Sequence, residues 1–206
     1  RKNYIVSTSG NTFRVLSMDP FELTTKDVEG FTFPLGTPVR IHFDREGKVT
    51  SIQIFQLSGR DPPDPDNVEA FQTLLNNKGI TNRIVWSPEG VPAALAEEPD
   101  TGGNLVFDRH GQTESSDTVP DAEGGYWVGW YQVDLTPAGR LDAAAGGKAL
   151  AAWVDAANLT IDRAFTSDLR RAQDTLTEAL NAMRLQKLMN RLGRVRLNGK
   201  SLQVTH

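Results

Sequence analysis

One short stretch of the chain combines the residue types that phosphate chemistry needs. Residues 104–114 read NLVFDRHGQTE, so Arg109, His110 and Gly111 follow an apolar run. A neutral imidazole is a competent nucleophile near its ordinary pKa of about 6.5. An arginine binds phosphate oxygens through forked N–H groups, and a glycine lets the backbone approach a ligand closely. The stretch therefore favours an anion site, most naturally one for phosphate.

The predicted elements bring further groups to the same place. His110 comes just after a predicted strand, where ligands bind in open α/β sheets. The run IDRAFTS predicts a second strand that ends at Ser167, and a long helix with Arg170 and Arg171 in its first turn follows. A strand–helix–strand unit implies a parallel pair with a right-handed crossover. We therefore expect His110, Arg109, Ser167 and one of the later arginines to meet.

Three ordered motifs resemble a known family. LVFDRHGQTE, GWYQVDLTPAGRLDA and AFTSDLRRAQDT are similar to the histidine phosphatase superfamily, in its phosphoglycerate mutase-like branch, over roughly residues 104–183. The resemblance implies phosphoryl transfer without a metal or other cofactor, acting on a phosphorylated small molecule or inorganic phosphate. It implies that His110 is the catalytic nucleophile, that Arg109 and Arg171 hold the phosphate oxygens, and that Gln112, Thr113 and Ser167 are secondary phosphate contacts.

The chain also departs from the pattern of that family. The family expects a second histidine and an acidic proton donor from its later half, and no such match follows Met183. Asp108 takes a position that is usually apolar, and a carboxylate there would pair with Arg109 or disfavour a nearby phosphate. Three interpretations stay open: an active phosphatase or mutase, an inactive accessory protein that binds anions, or a chimeric or truncated chain. The sequence leaves enzymatic activity undecided.

The first part of the chain predicts a separate β-rich module over residues 1–59. The runs YIVST, TFRVLSM, FTFPL, PVRIHFD and VTSIQIFQL are rich in β-branched and aromatic residues, and Gly47 suits a hairpin turn. The stretch weakly resembles the β-rich accessory domain of penicillin-binding-type serine hydrolases, through GNTFRVL, a Phe-Glu-Leu strand and the IHFDREGKV hairpin. No Ser-x-x-Lys motif accompanies it.

The predicted organisation has three parts, with an α/β fold class overall. Residues 60–103 form a Pro/Asp-rich junction with one helix after Asp66 or Asn67, a short strand TNRIVW and a linker. Residues 104–206 form a truncated, mostly parallel α/β sandwich of histidine phosphatase type that lacks the later half of the family. Thr136 and Pro137 begin its first helix, and an Asn-Gly hairpin closes the chain.

Composition excludes several classes of function. The net charge of −4 and the pI near 5.4 argue against a nucleic-acid partner. No apolar run reaches the ~20 residues that span a bilayer, and no signal peptide precedes the first strand, so the compartment is undefined and a membrane partner is not expected. With no cysteine there is no thiolate chemistry, and three histidines far apart argue against a metal site.

Overall fold

The computed structural model describes residues 2–29, 33–55, 57, 65–78, 83–87, 102–117 and 129–183. The predicted linker after residue 87 and the predicted C-terminal hairpin lie almost entirely outside these residues. Among the described residues, no helix has both the length and the apolar character to cross a membrane. The strands are β1 (Asn3–Thr8), β2 (Pro38–Phe43), β3 (Val49–Phe55), β4 (Arg83–Ser87), β5 (Gly103–Arg109) and β6 (Arg163–Thr166). The helices are α1 (Gly10–Met18), α2 (Thr25–Glu29), α3 (Pro65–Asn77), α4 (Glu114–Asp117), α5 (Pro137–Ala156) and α6 (Arg170–Ala182).

The strands form one mixed sheet in the order β4-β3-β2-β5-β1-β6. Strand β1 runs parallel to β5 on one side and to β6 on the other. Strand β2 is antiparallel to both β3 and β5, and β3 is parallel to β4. The α/β fold class predicted from the sequence is therefore confirmed, with helices and a mixed sheet in one structure.

The pairing predicted for the two motif-bearing strands is wrong in one respect. Strands β5 and β6 point the same way, as expected, but β1 lies between them. The register places Ser7 of β1 beside Asp108 on one side and Thr166 on the other. The physical reason is that Ile5 of β1 packs in the same apolar layer as Val106 and Ala164. This contact could not be seen in the sequence, because about 100 or more residues separate Ile5 from the other two. The predicted boundaries at residues 59 and 103 stay predictions, but strands from both sides of them share this sheet.

The predicted strand TFRVLSM is a helix instead. Helix α1 begins at Gly10 because the Ser9 side chain caps it, accepting a hydrogen bond from the Thr12 amide at 3.3 Å. Phe13 and Ser17, one helical turn apart, face the core. The predicted Phe-Glu-Leu strand is also wrong, since Phe21–Leu23 form a turn before α2.

Several predicted elements are confirmed. The hairpin between β2 and β3 turns at Gly47, whose φ is +82°, and Thr136 caps α5 with Pro137 at its first position. The helix predicted after Asp66 or Asn67 is α3, which begins at Pro65. The long helix predicted from Ser167 or Asp168 begins at Arg170, with Leu169 in the capping position. Of the predicted strand FTFPL, residues 31 and 32 lie outside the described residues, and residues 33–35 are not in a strand.

Two apolar layers cover the faces of the sheet. Helices α1, α2 and α3 pack on one face around Phe13, Phe33 and Phe107. Helices α5 and α6 pack on the other face around Trp153 and Val106. The resulting α/β/α sandwich leaves the carboxyl ends of β5, β1 and β6 together at one edge, where the predicted site residues lie.

Candidate active site

The backbone around His110 is fixed from two sides. The His110 amide donates to the Thr8 carbonyl of β1 at 3.0 Å, and the Gly111 amide donates to the Thr175 hydroxyl of α6 at 3.0 Å. Gly111 also lies against Gly139, because an added Cβ at Gly111 would be 2.4 Å from the Gly139 carbonyl oxygen. The glycine of the motif is thus required for close packing of this loop on α5.

The imidazole of His110 is buried and held in one tautomer. Its side chain is 7% exposed, and Nδ1 lies 2.9 Å from the Gly111 carbonyl oxygen. A carbonyl can only accept, so Nδ1 carries the proton and Nε2 of the neutral ring keeps its lone pair. Burial lowers the pKa of His110 to about 4, with smaller contributions from Arg171 and Arg109, while the Gly111 contact opposes them. The ring is therefore neutral at pH 7 with Nε2 unprotonated.

Arg109 is half-buried and only partly satisfied. Its Nη1 donates to the Phe33 carbonyl oxygen, while its buried Nε has no hydrogen-bond partner among the described residues. Burial lowers its pKa, and the neighbouring charge of Arg14 lowers it further. A guanidinium with a free donor beside another cation is the environment that an anion would stabilise.

Arg171 lies in the first turn of α6 and is 5% exposed. Its two terminal nitrogens donate to the carbonyl oxygens of Tyr131 and Gly129, at 3.0 and 3.1 Å. Burial lowers the pKa of this guanidinium. Its neighbour Arg170 instead reaches outward to the exposed Asp134 at 3.1 Å. Of the two arginines, Arg171 is the one whose charge acts on His110.

The three predicted secondary contacts differ in their surroundings. Within the part of the chain that the structure describes, the buried hydroxyl of Ser167 has no hydrogen-bond partner, and its amide donates to the Ser7 carbonyl oxygen at 3.2 Å. The Gln112 side-chain oxygen accepts from the Thr136 hydroxyl at 2.9 Å, and the Thr113 hydroxyl lies 2.9 Å from that of Ser115. Ser167 therefore offers a free hydroxyl, whereas Gln112 and Thr113 hold the loop against α5 and α4.

Asp108 does not pair with Arg109, as the sequence suggested it could. It is fully buried, and neither of its carboxylate oxygens has a hydrogen-bond partner in the described ranges of the chain. Burial raises the pKa of Asp108 to about 7. Successive residues of a strand face opposite sides of the sheet, so the Asp108 carboxyl and the Arg109 guanidinium start in opposite directions.

The described residues contain no second imidazole at this edge of the sheet. His42 contacts Asn104 at 2.9 Å, at the start of β5, about 20 Å along the strand from His110 at ~3.3 Å per residue. His206 lies outside the described residues. Groups of three or more potential metal ligands are likewise absent from the part of the chain that the structure describes.

Sequence reasoning missed the contribution of the first stretch of the chain. Thr8, Gly10 and Arg14 all lie beside Arg109 or His110. In the Ser-Gly-Asn triplet at residues 9–11, a serine before a glycine suits both a turn between strands and a helix cap, so the sequence alone does not identify the start of α1. Pairing of β1 with β5 could not be predicted from spacing, because about a hundred residues separate them.

Comparison with known proteins finds similarity in the later part of the chain. Residues 105–191 match the family model described as "Histidine phosphatase superfamily (branch 1)". The chain is also similar to curated proteins named 2,3-bisphosphoglycerate-dependent phosphoglycerate mutase. The one from Allorhizobium ampelinum is 42% identical over 73 residues, which are 35% of this chain and 30% of that protein. The one from Corynebacterium jeikeium is 35% identical over 88 residues, which are 43% and 31%.

These similarities are partial. The chain spans about a third of the length of the curated relatives it matches. No solved structure matches it. The comparisons support the likeness of residues 105–191 to histidine phosphatases, and they give no support to the likeness of residues 1–59 to a penicillin-binding accessory domain.

Proposed function

We propose that the protein transfers phosphoryl groups from phosphomonoesters through a phosphohistidine at His110, without a metal. The observation that carries the proposal is the state of the imidazole. It is neutral at pH 7, and the Gly111 carbonyl holds its proton on Nδ1, so Nε2 has the lone pair that a nucleophile needs. The match of residues 105–191 to the histidine phosphatase superfamily supports the same chemistry.

The proposed reaction has two balanced steps. The Nε2 lone pair attacks phosphorus, a nitrogen–phosphorus bond forms, and the ester oxygen–phosphorus bond breaks with its electrons leaving on the alcohol oxygen, which takes a proton from solvent water. Water then attacks the same phosphorus and gives up a proton to solvent, the nitrogen–phosphorus bond breaks with its electron pair returning to Nε2, and inorganic phosphate leaves. Arg109 and Arg171 would neutralise charge on the transferring group, and the free hydroxyl of Ser167 would donate to one of its oxygens.

The first experiment measures phosphate release from 4-nitrophenyl phosphate in EDTA. An aryl leaving group needs little help from a proton donor, so the assay isolates the role of the nucleophile. His110→Ala should lower kcat/KM at least about a thousandfold, because the nucleophile has no substitute. Arg163→Gln, which removes an exposed arginine at the far end of β6, is the matched control and should retain activity. Metal-dependent turnover, or turnover kept in His110→Ala, would refute the proposal.

Trapping and pH dependence test the intermediate directly. A phosphohistidine survives alkaline denaturation and is lost in acid, so labelled enzyme should keep its phosphate only in alkali. Because the pKa of His110 is about 4, protonation of this residue should lower kcat/KM only toward pH 4 and not between pH 7 and pH 6. No turnover, together with a higher melting temperature in phosphate, would indicate a non-catalytic anion-binding protein instead.

A further inference from the structure

We propose that Trp130 and Tyr131 form an aromatic rim at the entrance of the candidate site and stack on a planar ring in the leaving group of the substrate. The inference rests on the proposed function and adds a substrate class to the same site. That class is phosphomonoesters in which an aromatic or heteroaromatic ring lies one or two bonds from the scissile ester oxygen.

The first observation is the exposure of the two rings. Trp130 is 83% exposed and Tyr131 is 73% exposed, although tryptophan is on average one of the more buried residue types. A single exposed apolar residue is ordinary, but two aromatic residues in succession concentrate apolar surface in one short loop. Surface of this kind is suited to a ligand that covers it.

The second observation is that Arg171 holds the backbone around the first ring. The carbonyl oxygens of Gly129 and Tyr131, on either side of Trp130, accept hydrogen bonds from the two terminal nitrogens of this guanidinium at 3.1 and 3.0 Å. Arg171 itself is buried on α6. The exposed indole is therefore carried by backbone that is fixed to the interior of the protein.

The side chain of Gln132 holds the loop after the second ring. Its oxygen accepts from the Arg170 amide at 2.7 Å, and its nitrogen donates to the Asp168 carbonyl oxygen at 3.4 Å. Leu169, in the capping position of α6, makes no side-chain capping hydrogen bond, so Gln132 supplies an acceptor to the first turn of that helix. Because the backbone is already ordered, stacking on these rings requires little further loss of conformational entropy.

The loop of residues 129–136 lies beside His110 at both of its ends. Arg171 holds its beginning, and burial and, to a smaller degree, the charge of this arginine lower the pKa of His110. At its other end the Thr136 amide donates to the Gln112 carbonyl oxygen at 3.0 Å, two residues after the imidazole. The aromatic rim is thus part of the boundary of the proposed phosphoryl site.

The burial of the nucleophile sets the direction of the leaving group. His110 is only 7% exposed, so its ring lies at the inner end of the site. In phosphoryl transfer the attacking and leaving atoms are roughly in line, which places the ester oxygen on the side of phosphorus opposite Nε2. The leaving group consequently extends away from the imidazole toward solvent, where the exposed rings of the rim are available to it.

A planar ring is the leaving group that these two side chains favour. Aromatic rings gain attraction from stacked or edge-to-face contact in addition to the burial of apolar area. A saturated ring of similar size gains only the burial. The indole N–H and the phenol hydroxyl can also bond with polar atoms at the edge of a heteroaromatic ring. We therefore expect the site to discriminate between aromatic and saturated rings.

The test measures binding of three phosphonates by calorimetry, because phosphonates are not cleaved. Methylphosphonate has no ring, cyclohexylmethylphosphonate has a saturated ring, and benzylphosphonate has an aromatic ring of similar size. The unmodified protein should bind benzylphosphonate about tenfold more tightly than methylphosphonate and about threefold more tightly than the cyclohexyl compound. The comparison of the two rings separates stacking from general hydrophobic attraction.

Substitutions in the rim assign the preference to its two residues. Trp130→Ala and Tyr131→Ala should each reduce the preference for benzylphosphonate while leaving methylphosphonate affinity within about threefold, and the double variant should abolish it. Trp130→Phe should retain part of the preference, because it keeps a ring. The matched control is Leu141→Ala, which truncates an apolar residue of α5 that is 72% exposed and should bind as the unmodified protein does. Circular dichroism checks that each variant is folded.

The outcomes separate this inference from the proposed function. Binding of methylphosphonate without a preference for benzylphosphonate, or a preference that survives in the double variant, would overturn the inference and leave the phosphoryl site intact. No binding of any phosphonate by the unmodified protein would count against both. Light scattering identifies a further contrary result: self-association that is lost in Trp130→Ala, with the ligand preference unchanged, would make the rim a contact between two copies of the chain.

Discussion

The stretches 2–57 and 104–183 share one sheet but contribute to the candidate site in different ways. The later stretch supplies the imidazole, the guanidiniums of Arg109 and Arg171, and the free Ser167 hydroxyl. The earlier stretch supplies β1, which joins β5 to β6, and brings the amino end of α1 against Arg109. The residues proposed to do the chemistry thus lie within motifs, whereas the residues that hold them together are distant in sequence. A sequence motif can identify the residues of a candidate site, but the residues that pack around them are known only from the three-dimensional structure.

The largest expected effect is on the pH dependence of stability, and it tests how completely residues of the first stretch exclude water from Asp108 in the second. Asp108 lies between Ser7 of β1 and Pro38 of β2. Its pKa rises from 3.8 to about 7 on folding, so the folded state binds the extra proton and stability is lost as pH rises from about 4 to 7. Asn cannot ionise. The stability of Asp108→Asn relative to the unmodified protein should therefore rise by up to about 4 kcal/mol between pH 4 and pH 8.

Urea unfolding at several pH values would measure this difference. Asp155→Asn, at an exposed position of α5, is the control and should show no such trend. A stability difference for Asp108→Asn that stays constant with pH would mean that β1 and β2 do not seal this carboxyl from water. The two stretches would then be less closely packed than the shared sheet indicates.

A second substitution asks whether the two stretches unfold together. Ile5 of β1 is 1% exposed and packs with Val106 and Leu176 of the later stretch. Ile5→Ala should cost about 2–5 kcal/mol, because it leaves a cavity between them. The loss should shift a single unfolding transition seen equally by far-ultraviolet circular dichroism and by tryptophan fluorescence.

The control for Ile5→Ala is Leu141→Ala on α5, where the side chain is 72% exposed and truncation should cost little. Two separate transitions, of which Ile5→Ala moved only one, would indicate that the stretches are independent units. That result would restore the predicted boundary between a β-rich module and an α/β region.

A smaller effect is expected within the later stretch alone. Glycines in the middle of a helix, such as Gly146 and Gly147 in α5, ordinarily weaken it relative to alanine. In the structure, a Cβ at Gly147 would lie 2.2 Å from the Ala179 carbonyl oxygen of α6. Gly147→Ala should therefore destabilise by about 1–3 kcal/mol, although alanine favours a helix more than glycine does. Chemical denaturation would check this, with the exposed neighbour Lys148→Ala as control; a stabilised Gly147→Ala would show that the helices can separate there.

The smallest effect concerns the start of α1. Ser9→Ala removes the oxygen that accepts from the Thr12 amide and should cost about 1 kcal/mol. Ser9→Asp keeps an acceptor and should retain most of that stability. Thermal unfolding of the two variants would measure the difference, and equal melting temperatures would mean that the cap contributes nothing to α1.

The sequence predicts those features of the fold that depend on a few neighbouring residues, and it fails where contacts between residues far apart in sequence decide the structure. Thr136 and Pro137 mark the start of α5 locally, and Gly47 marks the β2–β3 turn, so both features were predictable. The run after Ser9 contains β-branched and aromatic residues that suit a strand, and only the packing of Phe13 on Phe33 and Phe107 shows why it is a helix. Propensity is weak where tertiary contacts decide.

The candidate site divides in the same way. His110, Arg109 and Arg171 could be grouped from motif order and from the rule that parallel strands end together. Arg14 could not be grouped with them from the sequence, because its position beside Arg109 depends on β1 lying between β5 and β6. The hydrogen bond between Gln112 and Thr136 could not be predicted from the sequence either, because a side-chain amide can bind a ligand or a helix cap equally well.

The position of β1 between β5 and β6 also has a consequence for the order in which the strands can pair during folding. Its register pairs Asn3 with Asn104 and Tyr4 with Arg163, so this strand closes loops of about 100 and 160 residues. During synthesis β1 emerges before both of its partners, and neither of them exists until about 100 or 160 further residues have followed. Long-range pairing of this kind slows folding, because loop-closure entropy is lost before the contacts form. We therefore expect β1 to be synthesised before β5 and β6 but to join the sheet only late in folding.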